Sequence, residues 1–191
     1  MLDVGANAGY TASVFATVAS RVHAFEPEPV NYRRLLRTIQ KRHLDGIVIP
    51  HRSAIGAFEG EVDLAVNPAH PGDHRVVSVA TPGTLRVPQT TLDTFETAVF
   101  VKIDTQGHEL DVSNGMKHLI QRSPRIAVAF EYSVNELGAR APALLAFFRS
   151  RGFELRLLRH NGDLVSLDDV ELNRRVKQRG YVDILATRGR K

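Results

Sequence analysis

The 191-residue chain is long enough to bury a sizeable core and short enough for one domain, with the 43% hydrophobic and 24% charged residues of a globular protein. It has no cysteine, which excludes disulfides, thiolate zinc sites and cysteine nucleophiles, and no apolar run approaches a membrane span or a signal peptide, so a cytoplasmic address is expected. The net charge of +4 permits a nucleic-acid partner, but the basic clusters (33–42 and 174–191) lack interleaved aromatics that stack bases, so neither nucleic acid nor membrane is the expected partner.

Apolar runs alternate with amphipathic stretches, which predicts an α/β sheet with crossover helices. Residues 2–4 read as a short strand, followed by Gly5-Ala6-Asn7-Ala8-Gly9 and a helix over 11–19. A second strand covers 21–26, where Pro27 and Pro29 stop it and launch a helix over 30–43 that presents Leu35, Leu36 and Ile39 to the sheet. A third strand covers 47–51. Short strands at 61–66 and 76–79 flank the breaker-rich loop 67–73 and lead through 87–92, which predicts a small antiparallel excursion over about 57–90. The buried-strand pattern resumes at 99–104, followed by a helix from 109 to about 120. A strand over 125–132, a core-facing helix carrying Leu144, Leu145, Phe147 and Phe148, and strands over 153–159 and 181–187 close the chain.

In such sheets ligands collect outside the carboxyl ends of the strands. Gly5, Glu26, Ser53, Asp104 and Glu131 all fall at or just beyond predicted strand ends, so they are expected to face one crevice. Glycines after a buried strand let the backbone approach a ligand closely. Glu26 closes the next strand at the interval where a βαβ unit returns a carboxylate to ribose hydroxyls. This pattern points to a nucleoside cofactor. Gly5-x-x-x-Gly9, with no glycine at position 7, departs from the dinucleotide fingerprint, and Asp3 suits a cation better than a pyrophosphate. D-x-G-x-N-x-G is similar to the first motif of class I methyltransferases, whose cofactor S-adenosylmethionine carries a sulfonium and an ammonium.

The segments LDVGANAGYT at 2–11, HAFEPEP at 23–29, TLDTF at 91–95 and VKIDTQGHELDVSNGM at 101–116, with AIG at 54–56 and VAFEY at 128–132, resemble the FkbM-type family of S-adenosylmethionine-dependent methyltransferases. The resemblance covers nearly the whole chain. It implies one Rossmann-like class I methyltransferase domain over 1–191, with a seven-stranded, mostly parallel sheet, a reversed terminal strand and helices on both faces. It also implies methyl transfer to a hydroxyl of a small-molecule acceptor such as a sugar or secondary-metabolite intermediate. Only Met1 precedes Leu2, where the family carries further residues, so a very short first strand without N-terminal cover is expected. An inactive cofactor-binding remnant and an RNA methyltransferase stay open as alternatives, while the glycine spacing speaks against a nicotinamide dehydrogenase.

On this reading Gly5, Ala6 and Gly9 form the turn beneath the methionine portion of the cofactor. Asp3 orients that turn or meets the ammonium through water, Asn7 supplies a polar contact, Glu26 holds the ribose, and Ser53 and Ala54 flank the adenine. Transfer requires the acceptor oxygen close and aligned, and a hydroxyl of high pKa needs a base as the bond forms. Asp104, at a strand end, is a candidate both for that base and for cofactor binding, with a helix cap as its structural alternative. His108 is the second candidate base, because a helix start disfavours imidazolium. Gln106 and Glu131 are candidates for holding the acceptor, and Lys102 and Glu109 for structural ion pairs. Asp104 and Glu131 could share a divalent cation, though nothing in the sequence requires one, and His70 and His74 read as loop residues rather than ligands. Acceptor specificity is expected from 57–90 and from loops at 133–140 and 160–178.

Overall fold

The computed structural model describes residues 1–70 and 72–189, which form two sheets. Pro71, and Arg190 and Lys191 of the second basic cluster, lie outside the described residues. β1 (Leu2–Val4) is buried throughout and leads through a glycine turn into α1 (Tyr10–Phe15), which ends four residues before the expected limit. β2 (Val22–Phe25), α2 (Pro29–Lys41) and β3 (Val48–His51) follow. α2 begins where the sequence marks it. Proline suits a first helical turn, where the missing N–H has no partner to lose, and the Glu28 side chain accepts from Asn31 N at 2.6 Å. Leu35 and Ile39 are buried by this helix, but Leu36 is not, at 40% exposure.

β4 (Ala54–Ile55), β5 (Gly60–Ala65), β6 (Arg75–Val77) and β7 (Thr84–Thr90) make the second sheet, in the order β4-β7-β5-β6. β5 pairs antiparallel with both β6 and β7, while the two-residue β4 pairs parallel with β7. A 3-10 turn (Leu92–Thr94) then precedes β8 (Phe100–Ile103). The single helix expected over 109–120 is two, α3 (Glu109–Asn114) and α4 (Lys117–Arg122). Asp93 causes the break. Its N–H donates to the Gly115 carbonyl at 2.9 Å, and its carboxylate accepts from Leu119 N at 2.8 Å, satisfying a free N–H of the new helix start.

β9 (Ile126–Tyr132), α5 (Val134–Leu137), a 3-10 turn (Gly138–Arg140) and α6 (Ala141–Arg149) come next. The chain closes with β10 (Glu154–Leu158), β11 (Leu164–Ser166), α7 (Asp169–Arg179) and β12 (Val182–Arg188). The stretch 160–178, expected as loop, is therefore mostly strand and helix. The main sheet has the order β11-β10-β12-β9-β8-β1-β2-β3, eight strands rather than seven. The additional one is β11, which folds back antiparallel on β10 at the sheet edge. β12 runs antiparallel between β9 and β10, which is the reversed strand.

Alternation along β9 turns Ile126, Val128, Phe130 and Tyr132 to the face packed by α4 and α6, where Phe130 stacks on Phe148 with centroids 4.8 Å apart. Each such fully buried side chain contributes roughly 1.5–3 kcal/mol. Val22, Ala24, Leu35 and Ile39 form a separate cluster beneath α1 and α2. The intervening residues set the site. Asp3 pairs with Lys102, and Lys102 with Ala129, in one row across the sheet. Two residues further along the strands, Glu131 lies opposite Asp183 at the carboxyl edge. No helix among the described residues is long and apolar enough to cross a membrane.

Candidate active site

The turn after β1 is tied to β2 from above, since Gly5 N and Ala6 N both donate to the Phe25 carbonyl, at 3.1 and 2.9 Å. Gly5 adopts φ +78°, and a Cβ there would lie 1.9 Å from the Asp104 carbonyl oxygen, so only glycine permits the close approach of the β8 end. Glu26, directly after β2, clamps this turn to the start of α2. Its Oε2 accepts from Asn7 N and its Oε1 from Glu28 N, each at 2.9 Å. Only 5% of Glu26 is exposed, and burial pushes its carboxyl up to about 7, against the two backbone N–H groups that pull it down.

At the end of β8, Lys102 Nζ lies 3.4 Å from both Asp3 Oδ1 and Asp104 Oδ2 and donates to the Gly5 carbonyl at 3.0 Å. The ammonium thereby fixes the two strand ends to one another. Burial alone would lower the Lys102 pKa, but the two carboxylates outweigh it and raise it. Asp104 also accepts from Gln106 Nε2 at 3.1 Å. Glu109 makes no ion pair among the described residues. Instead its carboxylate accepts from Thr105 N, Thr105 Oγ1 and Gly107 N, shaping the loop between β8 and α3. His108 has Nδ1 3.1 Å from Asp111 and Nε2 3.3 Å from the Gln89 side-chain oxygen, so both ring nitrogens face acceptors. A neutral ring donates to only one of them, so the two contacts compete for its single N–H. Glu131 has its carboxyl pushed up to about 8 by burial, with Asp104, Glu136, Glu109 and Asp183 adding to the shift.

These groups surround a cavity of about 210 Å³. Gly5, Asn7, Glu26, Ser53 and Ala54 line one part of it, and Asp104, Gln106, His108 and Glu131 line another. Asp3, Ala6 and Gly9 do not line it. Asp3 is wholly buried beneath Lys102, Ala6 packs in the core under α1, and Gly9 lies against Leu35 of α2. The second sheet supplies residues the sequence did not single out for the site, among them Leu64 and Val76, together with His74 from the preceding loop. His74 Nδ1 accepts from Asn67 N at 3.1 Å, which places the ring proton on Nε2. Arg75 fastens this cover to α5 through Glu136 at 3.2 Å. By contrast, 160–178 contributes nothing to the cavity lining. Among the described residues no group of three or more histidines and carboxylates is placed to hold a metal ion.

The family described as Methyltransferase FkbM domain matches residues 3–155. The chain belongs to this family. It is 33% identical over 126 residues to the hexuronic acid methyltransferase AglP of Haloferax volcanii, a match covering 62% of this chain and 50% of that protein. The chain thus spans about half the length of the curated relative it matches. Its fold is similar to that of methyltransferase FkbM from Methylobacillus flagellatus KT, with TM-score 0.63 and 17% identity over 97% of this chain and 42% of that one. It is also similar to that of precorrin-6y C5,15-methyltransferase from Geobacter metallireducens GS-15, with TM-score 0.54 and 12% identity over 98% and 77% of the two chains. The FkbM match takes in Gly5, Glu26, Asp104 and Glu131 but ends inside β10, so β11, α7 and β12 lie beyond it.

Proposed function

We propose that this FkbM family member transfers the methyl group of S-adenosylmethionine to a hydroxyl of a small, sugar-like acceptor. The observation that carries the reading is Glu26. It is a buried carboxyl with no ion pair among the described residues, facing a cavity beside the Gly5 turn. One N–H occupies each of its oxygens, which leaves one further acceptor position on each, suited to the two hydroxyls of a ribose. Ser53, Ala54 and Ile55, with Leu64 and Val76 from the second sheet, supply a mostly apolar wall for the adenine. The bound cofactor supplies a methyl carbon activated by its sulfonium. Asp104, held by Lys102 and Gln106, is the group that takes the acceptor proton, since both ring nitrogens of His108 lie against other side-chain oxygens. Glu131, protonated near neutrality, donates a hydrogen bond that orients the acceptor. The sugar-like acceptor follows from the kinship with a hexuronic acid methyltransferase.

Calorimetric titration with S-adenosylmethionine tests this. Ribose hydroxyls donate to the carboxylate, so binding requires ionised Glu26. With the free group at about 7, affinity should fall up to tenfold per pH unit below pH 7 and level off above pH 8. Glu26→Ala should weaken binding at least tenfold and remove the pH dependence, with circular dichroism confirming that the variant is folded. Affinity that ignores both pH and the substitution would remove Glu26 from the cofactor site.

A further inference from the structure

A second depression, of about 390 Å³, opens at the same carboxyl edge of the main sheet, where the β10–β11 turn, the last turns of α7 and the start of β12 meet. Its distance from the first cavity follows from the strand register. Glu131 of the first cavity pairs with Asp183, and Asp183 pairs with Leu158, the residue before Arg159. Two strand spacings, about 10 Å, separate Glu131 from that turn.

The lining is basic. Arg159 and His160 come from the turn, Arg175 and Arg179 from α7, and among the described lining residues Asp183 is the one carboxylate. Arg175 is held by Glu171, Nε to Oε1 at 2.5 Å, which orients the guanidinium and leaves its other N–H groups to serve a second acceptor. Arg159 and Arg179 make no ion pair among the described residues. Tyr181, 41% exposed, stands at the rim. The first cavity has the opposite character, with Asp104 and Glu131 in its wall and Glu109 and Glu136 close enough to act on Glu131. The acid group of an acceptor meets no lysine or arginine among the described residues lining the first cavity and would be drawn to these arginines. At ionic strengths of about 0.1 M and below the separation lies within one Debye length, so both fields act on one bound molecule.

We propose that this depression is an acid-binding subsite, in which Arg159, Arg175 and Arg179 hold a carboxylate or phosphate of the acceptor while a hydroxyl of the same molecule lies beside Asp104 and Glu131. The inference rests on the methyl-transfer reading above. Every arginine concerned lies beyond residue 155, outside the stretch matched to the family, where a device for choosing the acceptor need not be shared. Guanidinium groups are suited to the task because their planar N–H pairs match carboxylate and phosphate oxygens.

Titration of the whole chain with glucuronate, glucose 1-phosphate, glucose and inorganic phosphate at low salt tests the subsite. Both acidic sugars, or the one whose acid the site selects, should bind at least tenfold more tightly than glucose, and their ranking separates a carboxylate from a phosphate. The double variant Arg159→Ala/Arg179→Ala should abolish that advantage without changing S-adenosylmethionine affinity, and Arg37→Ala on the exposed face of α2 should change neither. Equal binding of glucose and the acidic sugars overturns the proposal, as does a preference that survives the double variant. Inorganic phosphate binding as tightly as the sugars also overturns it, since the groove would then hold a free ion. If S-adenosylmethionine does not bind while the acidic sugars still depend on these arginines, the methyl-transfer reading falls and the subsite stands.

Discussion

Lys102→Met is expected to destabilise the fold by about 3–5 kcal/mol, the range for removing one partner of a buried ion pair. The ammonium is what makes Asp3 tolerable at 0% exposure in the middle of β1. Methionine fills much of the same volume but leaves the Asp3 carboxylate without a counter-charge. Burial already raises the Asp3 pKa although Lys102 opposes the shift, so loss of the ammonium raises it further. The folded variant then binds a proton that the unfolded chain releases above about pH 4, and its stability should fall as pH rises from there. Urea unfolding at pH 4.5 and pH 8 measures this, with the larger loss expected at pH 8. Asp3→Asn added to Lys102→Met removes the buried charge and should restore much of the stability, because a missing pair costs far less than half of one. A pH-independent loss, unrelieved in the double variant, would mean that Lys102 acts through packing alone.

Asp3 also shows which parts of the site can be read from the sequence. Its acidity just before the glycine turn suggests a role in orienting that turn or contact with a cationic cofactor, and the cation it meets is Lys102, brought alongside by the β1–β8 register. Strand-end logic succeeds where a residue's environment follows from the order of the elements, as for Gly5, Glu26, Asp104 and Glu131, which line one cavity. It cannot reach the side chains delivered by the second sheet. His74 enters the cavity because Asn67 holds both His74 and Asp73 across the loop, and no periodicity encodes that. The break between α3 and α4 is equally hidden, since the interrupting Asp93 is more than twenty residues away.

α7 is a different kind of omission. Its sequence DVELNRRVKQR carries few apolar residues, with Leu172 buried and Val176 packed on the core, so the hydrophobic period is faint. Its end signals are nevertheless present. Asp168 caps the helix by accepting from Glu171 N at 2.7 Å, and Gly180 ends it at φ +84°. Caps read before periodicity locate this helix and turn the basic run at 174–179 from an expected loop into one side of a groove.

Gly5→Ala is expected to cost about 2–5 kcal/mol and to weaken cofactor binding with it. Two effects add. An alanine held at φ +78° sits in the left-handed region, at roughly 1–2 kcal/mol. The new Cβ would also meet the Asp104 carbonyl oxygen at 1.9 Å, which is backbone and cannot rotate aside. That backbone is itself anchored, Asp104 N donating to the Val4 carbonyl at 3.1 Å, so relief requires β1 and β8 to part at their ends. Overpacking of this kind typically adds about 1–3 kcal/mol. Gly162→Ala separates the two contributions, because Gly162 has a similar φ of +87° and a Cβ added there would have nothing within 4 Å, so it should lose only the conformational part. Equal losses for the two variants in urea unfolding would show that the β8 end yields freely. A larger loss at Gly5, together with weaker S-adenosylmethionine binding, would show that the contact between the turn and the Asp104 backbone holds the Gly5 turn and the proposed base in one rigid unit.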